Sequence, residues 1–277
     1  ARGQPRAFRA LFSGDGVMDV ENTRVRAYPG LGGPAPDTRA LYRVALELAP
    51  DATRALDLGC GAGLGVLELL GGIPDVLGVD SDPDAVRFAR HYLPQAKFEL
   101  GEHRVDATAA ADLVCVVDVL GQAAAPEQLL RQARRALGAG GRVFIAEPEA
   151  YPAQDLVPPV TRAFSRPLLS ALLARSGFEP ERWLDDVGQF VACLARPAND
   201  GGAWERLERA DMAYECGDFA AALAEYSEVA ADAAPSVALE ARVGAARAGL
   251  ALGKPDDAAA EFMAAARIAP QSARPLA

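Results

Sequence analysis

Between residues 55 and 195 short apolar runs alternate with stretches of helical periodicity, and that alternation leaves few folds open. A run that is apolar at nearly every residue must be covered on both faces, as a strand is in a parallel sheet flanked by helices. The candidate strands are Ala55–Gly59, Val76–Asp80, Lys97–Gly101, Leu113–Val117, Arg142–Ala146, a weaker one near Arg182–Asp186, and Phe190–Ala195. Helical patterns fall at Leu64–Leu70, Asp84–Tyr92, Pro126–Leu137 and Pro167–Ser176. The last two strands join through a Gly188 turn with no helix, which predicts an antiparallel hairpin. Ahead of the first strand, Asp37-Thr38 can cap a helix whose apolar residues Leu41, Val44, Ala45 and Leu48 share a face before Pro50 stops it. The predicted class is α/β, with a doubly wound, mostly parallel seven-stranded sheet.

The spacing also predicts three regions. Residues 1–38 carry little periodicity and many turn formers, with a possible hairpin in Val17–Tyr28, and read as an N-terminal cap or lid. Residues 39–198 hold the α/β domain. After the turn-rich Pro197–Gly202, residues 203–277 are Ala-rich and helical throughout, a small all-α helical-repeat domain. Within it Leu207, Ala210, Tyr214, Gly217, Ala222 and Tyr226 recur 36 residues later as Val243, Ala246, Leu250, Gly253, Ala258 and Phe262. Each unit reads as two antiparallel helices.

The formal net charge of −10 repels phosphate-rich partners at long range and argues against nonspecific nucleic-acid binding. Cys60, Cys115, Cys193 and Cys216 lie far apart with no C-x-x-C pair, which points away from a zinc site or disulfide framework and towards free thiols in a reducing, cytoplasmic setting. No apolar run approaches the roughly 18 residues of a membrane span. No signal-peptide pattern follows the basic opening residues.

The chemistry concentrates in Ala55-Leu-Asp-Leu-Gly-Cys-Gly-Ala-Gly63. Glycines at 59, 61 and 63 between a strand and a helix let a ligand lie directly on the backbone. The dinucleotide pattern G-x-G-x-x-G is broken, because its third glycine falls on Leu64 or Val66. No G-K-[ST] follows, which disfavours a nucleoside triphosphate. Asp57 stands just before the first glycine, and Asp80 ends the next strand, where a carboxylate can accept from both hydroxyls of a ribose. A ligand with a ribose and few phosphates fits these residues.

At this point the chain resembles the class I S-adenosylmethionine-dependent methyltransferases, Rossmann-like enzymes of small molecules and proteins. Asp57–Gly63 is similar to the family's first motif and Val79-Asp-Ser-Asp-Pro83 to its acidic second-strand motif. Ala111–Leu120, Leu137–Glu147 and Phe164–Phe178 resemble the fourth strand, the fifth strand and the late helix, so the similarity spans about residues 40–196. The resemblance implies that Gly59, Cys60, Gly61 and Gly63 border the methionine and ribose of S-adenosyl-L-methionine, with S-adenosyl-L-homocysteine as product. It implies that Asp57 orients the amine, Asp80 holds the ribose diol, and Ser81 lies beside the adenine. Glu102 with the backbone of His103 stands where the family reads the adenine amine, with Asp106 as a rival, and Asp118 comes close to the sulfonium.

Methyl transfer asks a protein mainly to align the acceptor and exclude water. No residue is therefore assigned as catalytic, and no metal is expected. Asp118, Gln122, Glu147 and Tyr151 follow strand ends on the ligand-facing edge and are candidates to touch an acceptor, a small molecule or a protein. The repeats resemble tetratricopeptide repeats in Ala222-x-x-x-Tyr226 and Ala258-x-x-x-Phe262, which implies docking of a protein partner or homodimerisation. Two other readings compete: an interaction protein with a non-catalytic cofactor-binding domain, and an RNA methyltransferase. The second is disfavoured by the acidic charge and by Asp118-Val-Leu-Gly where base-amine enzymes carry Asn-Pro-Pro-aromatic.

Overall fold

The computed structural model describes residues 38–101, 110–149, 163–185, 187–200 and 202–268. The proposed cap, apart from Thr38, lies outside the described residues. The α/β elements run α1 (Thr38–Leu48), β1 (Arg54–Leu58), α2 (Leu64–Leu69), β2 (Asp75–Asp80), α3 (Pro83–Tyr92), β3 (Lys97–Leu100), β4 (Ala111–Val117), α4 (Pro126–Ala136), β5 (Leu137–Pro148), α5 (Arg166–Arg175), β6 (Phe178–Leu184) and β7 (Phe190–Pro197). They are followed by α6 (Ala203–Glu215), α7 (Phe219–Asp232), α8 (Pro235–Ala251) and α9 (Pro255–Ile268).

The strands form one seven-stranded sheet in the order β3-β2-β1-β4-β5-β7-β6. β1 pairs parallel with β2 and β4, β2 with β3, and β4 with β5, while β7 runs antiparallel to β5. This is the doubly wound, mostly parallel sheet predicted. Strand order reverses between β1 and β4, and the crevice at their carboxyl ends is where such sheets take ligands. β4 is buried from Leu113 to Val117, as a central strand covered on both faces must be.

Two strands differ from the pattern in the sequence. β5 starts at Leu137, directly after α4, and reaches Pro148. Its pairing with β4 shifts register between Ala111 and Leu113, an irregularity made possible by glycines: a Cβ on Gly141 would sit 2.6 Å from the Ala111 carbonyl oxygen. β6 covers Phe178–Leu184 rather than residues near 182–186, because Gly177 at φ +79° closes α5 and the strand begins at once. Pro180 interrupts its apolar pattern, and β6 lies at the sheet edge, where a missing N–H is tolerated.

The described residues divide into two compact units, those within 1–170 and 180–196 and those within 171–179 and 197–277. In the second unit Trp204, Leu207, Ala222, Tyr226, Val237 and Ala241 belong to one buried cluster. Glycine again permits close approach: a Cβ on Gly244 would lie 2.4 Å from Tyr226 Cε1, and one on Gly177 would lie 2.7 Å from Trp204 Cδ2. The α6–α7 and α8–α9 turns close in the same way. Asp218 N donates to Ala213 O at 2.9 Å, and 36 residues on Lys254 N donates to Gly249 O at 2.9 Å, beside Gly217 and Gly253 at positive φ.

Candidate cofactor site

The glycine turn sits at the carboxyl end of β1. Gly59 N and Cys60 N both donate to Val79 O, at 2.8 and 3.1 Å, tying the turn to β2, and Gly63 N donates to Cys60 O at 2.9 Å. Gly59, Gly61 and Gly63 all have positive φ, at +78°, +52° and +86°. They differ in what surrounds them. A Cβ on Gly59 would lie 2.4 Å from Val119 Cγ2 and one on Gly63 would lie 2.7 Å from Phe98 Cζ, whereas one on Gly61 meets nothing within 4 Å. Gly61 therefore faces open space, as a backbone that cradles a ligand must.

Asp80 joins this turn to β2. Its Oδ2 accepts from Gly61 N at 2.7 Å and its Oδ1 from Asp82 N at 2.8 Å. Each oxygen keeps a second lone pair, enough for two hydroxyl donors. Asp82 caps α3 by accepting from Asp84 N and Ala85 N, with Pro83 in the first helical turn, and Ser81 is exposed beside it.

Asp57 is fully buried. Tyr42 Oη donates to its Oδ1 at 2.9 Å, and Oδ2 has no hydrogen-bond partner among the described residues. Burial raises its carboxyl pKa to about 7; the Tyr42 hydrogen bond pulls it down and the neighbouring Asp80 pushes it up. The Cys60 thiol is pushed up by burial and then by the charges of Asp57 and Asp80, which keeps it protonated and inert.

The loop after β4 faces the turn through Val119. Asp118 is the one non-glycine residue with positive φ among the described residues, at 54°, and its N–H donates to Ala146 O at 2.8 Å. The next three amides converge on Glu147 at the end of β5. Val119 N and Leu120 N donate to Oε1 at 2.9 and 2.8 Å, and Gly121 N to Oε2 at 3.2 Å. Glu147 is fully buried, and burial raises its pKa to about 8 against the pull of these amides. It holds the loop from beneath and does not present itself to an acceptor, unlike the sequence expectation for it. Gln122 is exposed, and its Nε2 donates to Asp118 O at 2.8 Å.

The structure thus brings Asp57, Gly59, Cys60, Gly61, Gly63, Asp80 and Ser81 to one end of β1 and β2. Asp118 follows the adjacent strand β4. Glu102, His103, Asp106 and Tyr151 lie outside the described residues. Two residues were missed by sequence reasoning, Tyr42 as a partner of Asp57 and Glu147 as the loop anchor. The available signal for Tyr42 was Gly65, a glycine inside helix α2 where a Cβ would lie 2.2 Å from Tyr42 Cζ. Among the described residues no cluster of three or more His, Cys, Asp or Glu could hold a metal ion.

A strand order of this kind, with a glycine turn and an acid at the end of the second strand, defines a nucleoside-binding α/β protein. A family profile described as a methyltransferase domain matches residues 37–182, more than half of the chain, and the chain belongs to that family, as a class I S-adenosylmethionine-dependent methyltransferase domain. Among curated relatives, an uncharacterized 37.1 kDa protein in transposon TN4556 of Streptomyces fradiae is 34% identical over 168 residues, covering 56% of this chain and 45% of its own length. A trans-aconitate 2-methyltransferase of Variovorax paradoxus is 36% identical over 118 residues, covering 41% of this chain and 44% of its own. The chain spans less than half the length of these relatives. Among solved structures, a SAM-bound amino pentose methyltransferase from Micromonospora echinaspora, CalS10, has a TM-score of 0.51 at 20% identity, covering 65% of this chain and 98% of that one. The mitomycin 7-O-methyltransferase MmcR has a TM-score of 0.50 at 20% identity, covering 58% and 54%. These two likenesses are of fold.

Proposed function

We propose that this chain binds S-adenosyl-L-methionine and transfers its methyl group to a small-molecule acceptor, releasing S-adenosyl-L-homocysteine. The observation that carries the reading is the pairing of Gly61, whose missing side chain opens onto empty space, with Asp80, whose carboxylate is aimed by the Gly61 amide. When bound, the cofactor supplies an electrophilic methyl on a sulfonium. The chain's own part is to hold and exclude. Asp80 takes the ribose hydroxyls, Asp57 offers Oδ2 to the amine, and Ser81, Glu102 and His103 belong to the adenine side. Asp118, set by its strained backbone and by the anchored loop behind it, stands at the methyl end, where a fixed dipole or charge acts without reorganisation.

The small-molecule acceptor is supported by two of the relatives, which are trans-aconitate 2-methyltransferases. Residues 39–198 form the catalytic domain in this reading. Residues 203–277 are two tetratricopeptide-like helical pairs that dock a partner or a second copy, a reading supported by the repeated turn closure at Gly217 and Gly253. Cytoplasmic placement rests on the free cysteines; no helix among the described residues is long and apolar enough to cross a membrane.

Two measurements test the proposal. Calorimetric titration with S-adenosyl-L-homocysteine should give saturable heat that Asp80→Ala weakens by about tenfold or more, as loss of charge-assisted hydrogen bonds predicts. Absence of heat from the unaltered chain refutes the cofactor assignment. Labelled methyl transferred into a cell extract should appear in the low-mass fraction, and label in protein or RNA instead would overturn the acceptor class.

A further inference from the structure

The least explained arrangement in the site is the path that brings a tyrosine hydroxyl to Asp57. Tyr42 is buried on α1, and its ring enters a notch in α2 that exists only because residue 65 is glycine: a Cβ there would lie 2.2 Å from Tyr42 Cζ and 2.6 Å from its hydroxyl. Gly65 lies in the first turn of α2, directly after the glycine turn, so the notch puts the tyrosine ring beside the cofactor site. Packing alone would be served by phenylalanine. The hydroxyl has one hydrogen-bond partner among the described residues, Oδ1 of Asp57, leaving Oδ2 buried and unpartnered.

Resting on the cofactor assignment above, we propose that Tyr42 is a positioning residue of the cofactor site, its hydroxyl fixing one oxygen of Asp57 and so reserving the other for the cationic amine of S-adenosylmethionine. A buried carboxylate has two equivalent oxygens and rotates about χ2, and a single donor on Oδ1 removes that freedom. The tyrosine does this without supplying charge. Its own pKa is raised well above the ordinary value, by burial first and then by Asp57, so it remains a donor throughout the working range.

The groups facing Asp57 are Tyr42 from α1, Cys60 from the glycine turn, Asp80 at the end of β2 and Cys115 on β4. Both thiols are pushed up by burial and stay neutral, and Asp80 is a like charge. Tyr42 is the one group among these that favours the ionised form of Asp57. A cationic amine arriving at Oδ2 would complete the pairing and expel any proton held there. Cofactor binding and proton release are then linked near neutral pH, and Tyr42 sets where.

The test is calorimetric titration of the full chain with S-adenosyl-L-homocysteine between about pH 5.5 and 9, in two buffers of different ionisation heat. The unaltered chain should bind more tightly as pH rises, with proton release on binding below the plateau. Tyr42→Phe should move the midpoint of that profile upward by about one unit, weakening binding about fivefold at pH 7 and about tenfold well below it, while leaving it within about twofold at pH 9. Asp57→Asn should flatten the profile. A loss that is equal at every pH, or an unmoved midpoint, overturns the proposal, because packing alone produces either. A second readout needs no ligand: the Asp57 carboxyl carbon, followed by NMR in the cofactor-free chain, should titrate higher in Tyr42→Phe. Replacing Tyr42 with 3-fluorotyrosine, a stronger donor of nearly the same shape, should move the midpoint downward, and an upward or absent shift refutes the idea even if the phenylalanine variant folds poorly. If the unaltered chain binds no S-adenosyl-L-homocysteine at any pH, the cofactor assignment falls and this proposal with it. If it binds and the midpoint ignores position 42, only this proposal falls.

Discussion

Replacing Gly59 with alanine, alone and together with Val119→Ala, measures how tightly the glycine turn is locked to the loop after β4. Two costs are separable in the structure. At φ +78° an L residue carries about 1–2 kcal/mol of backbone strain whatever its surroundings. The new Cβ would also lie 2.4 Å from Val119 Cγ2 and 2.9 Å from Val119 Cβ, an overlap that neighbours relieve at about 1–3 kcal/mol. The loop has little room to retreat, because the amides of Val119, Leu120 and Gly121 are all held by buried Glu147. Gly59→Ala should therefore cost about 2–5 kcal/mol in urea unfolding. In a double-mutant cycle, removing the Val119 γ carbons should return the larger share of the steric part, a favourable coupling of about 1–2 kcal/mol, and leave the backbone part and the closer approach to the Val119 Cβ. A coupling within about 0.5 kcal/mol of zero would refute direct contact between turn and loop as the reason for glycine at this position.

Two further outcomes follow from the buried acids. Asp57 has its carboxyl pKa raised from 3.8 to about 7, so its neutral form contributes stability below pH 4 that is lost as pH rises through about 7. Asparagine does not titrate, and the stability of Asp57→Asn relative to the unaltered, cofactor-free chain should rise between pH 4 and 8 by up to about 4 kcal/mol, offset by an unpaired amide of about 1–3 kcal/mol. Thermal melts at several pH values would show the difference widening, and a constant difference would contradict it. Glu147→Ala leaves three amides without their acceptor, so it should destabilise the fold by about 3 kcal/mol or more and speed hydrogen exchange at 119–121 while sparing the centre of β5.

The sheet was legible because its central strands are apolar on both faces, and Leu113–Val117 cannot be read as anything exposed. The cofactor turn was legible because glycine and acid there answer to backbone geometry, which leaves its mark on single positions. Edges carried less. β6 hides behind Pro180, and β5 begins in a glycine-rich stretch, Gly138-Ala-Gly-Gly141, that has the composition of a loop. Glu147 shows the deeper difficulty. An acid at a strand end beside a ligand crevice looks the same in sequence whether it faces outward to a substrate or inward to three amides, and only the path of the neighbouring loop decides. Tyr42 was obscured for a similar reason, since its ring serves the core and its hydroxyl serves the site.

The assignment of residues 171–179 to the second unit has a consequence for how such a chain can be inherited. The family match runs on to residue 182, whereas packing hands these nine residues to the helical extension, with Gly177 shaped to admit Trp204. Ancestry and packing therefore draw their borders in different places. A single joint near residue 197 would therefore divide the second unit, leaving residues 171–179 behind. A chain that exchanged its extension for another would have to rewrite this short internal stretch as well.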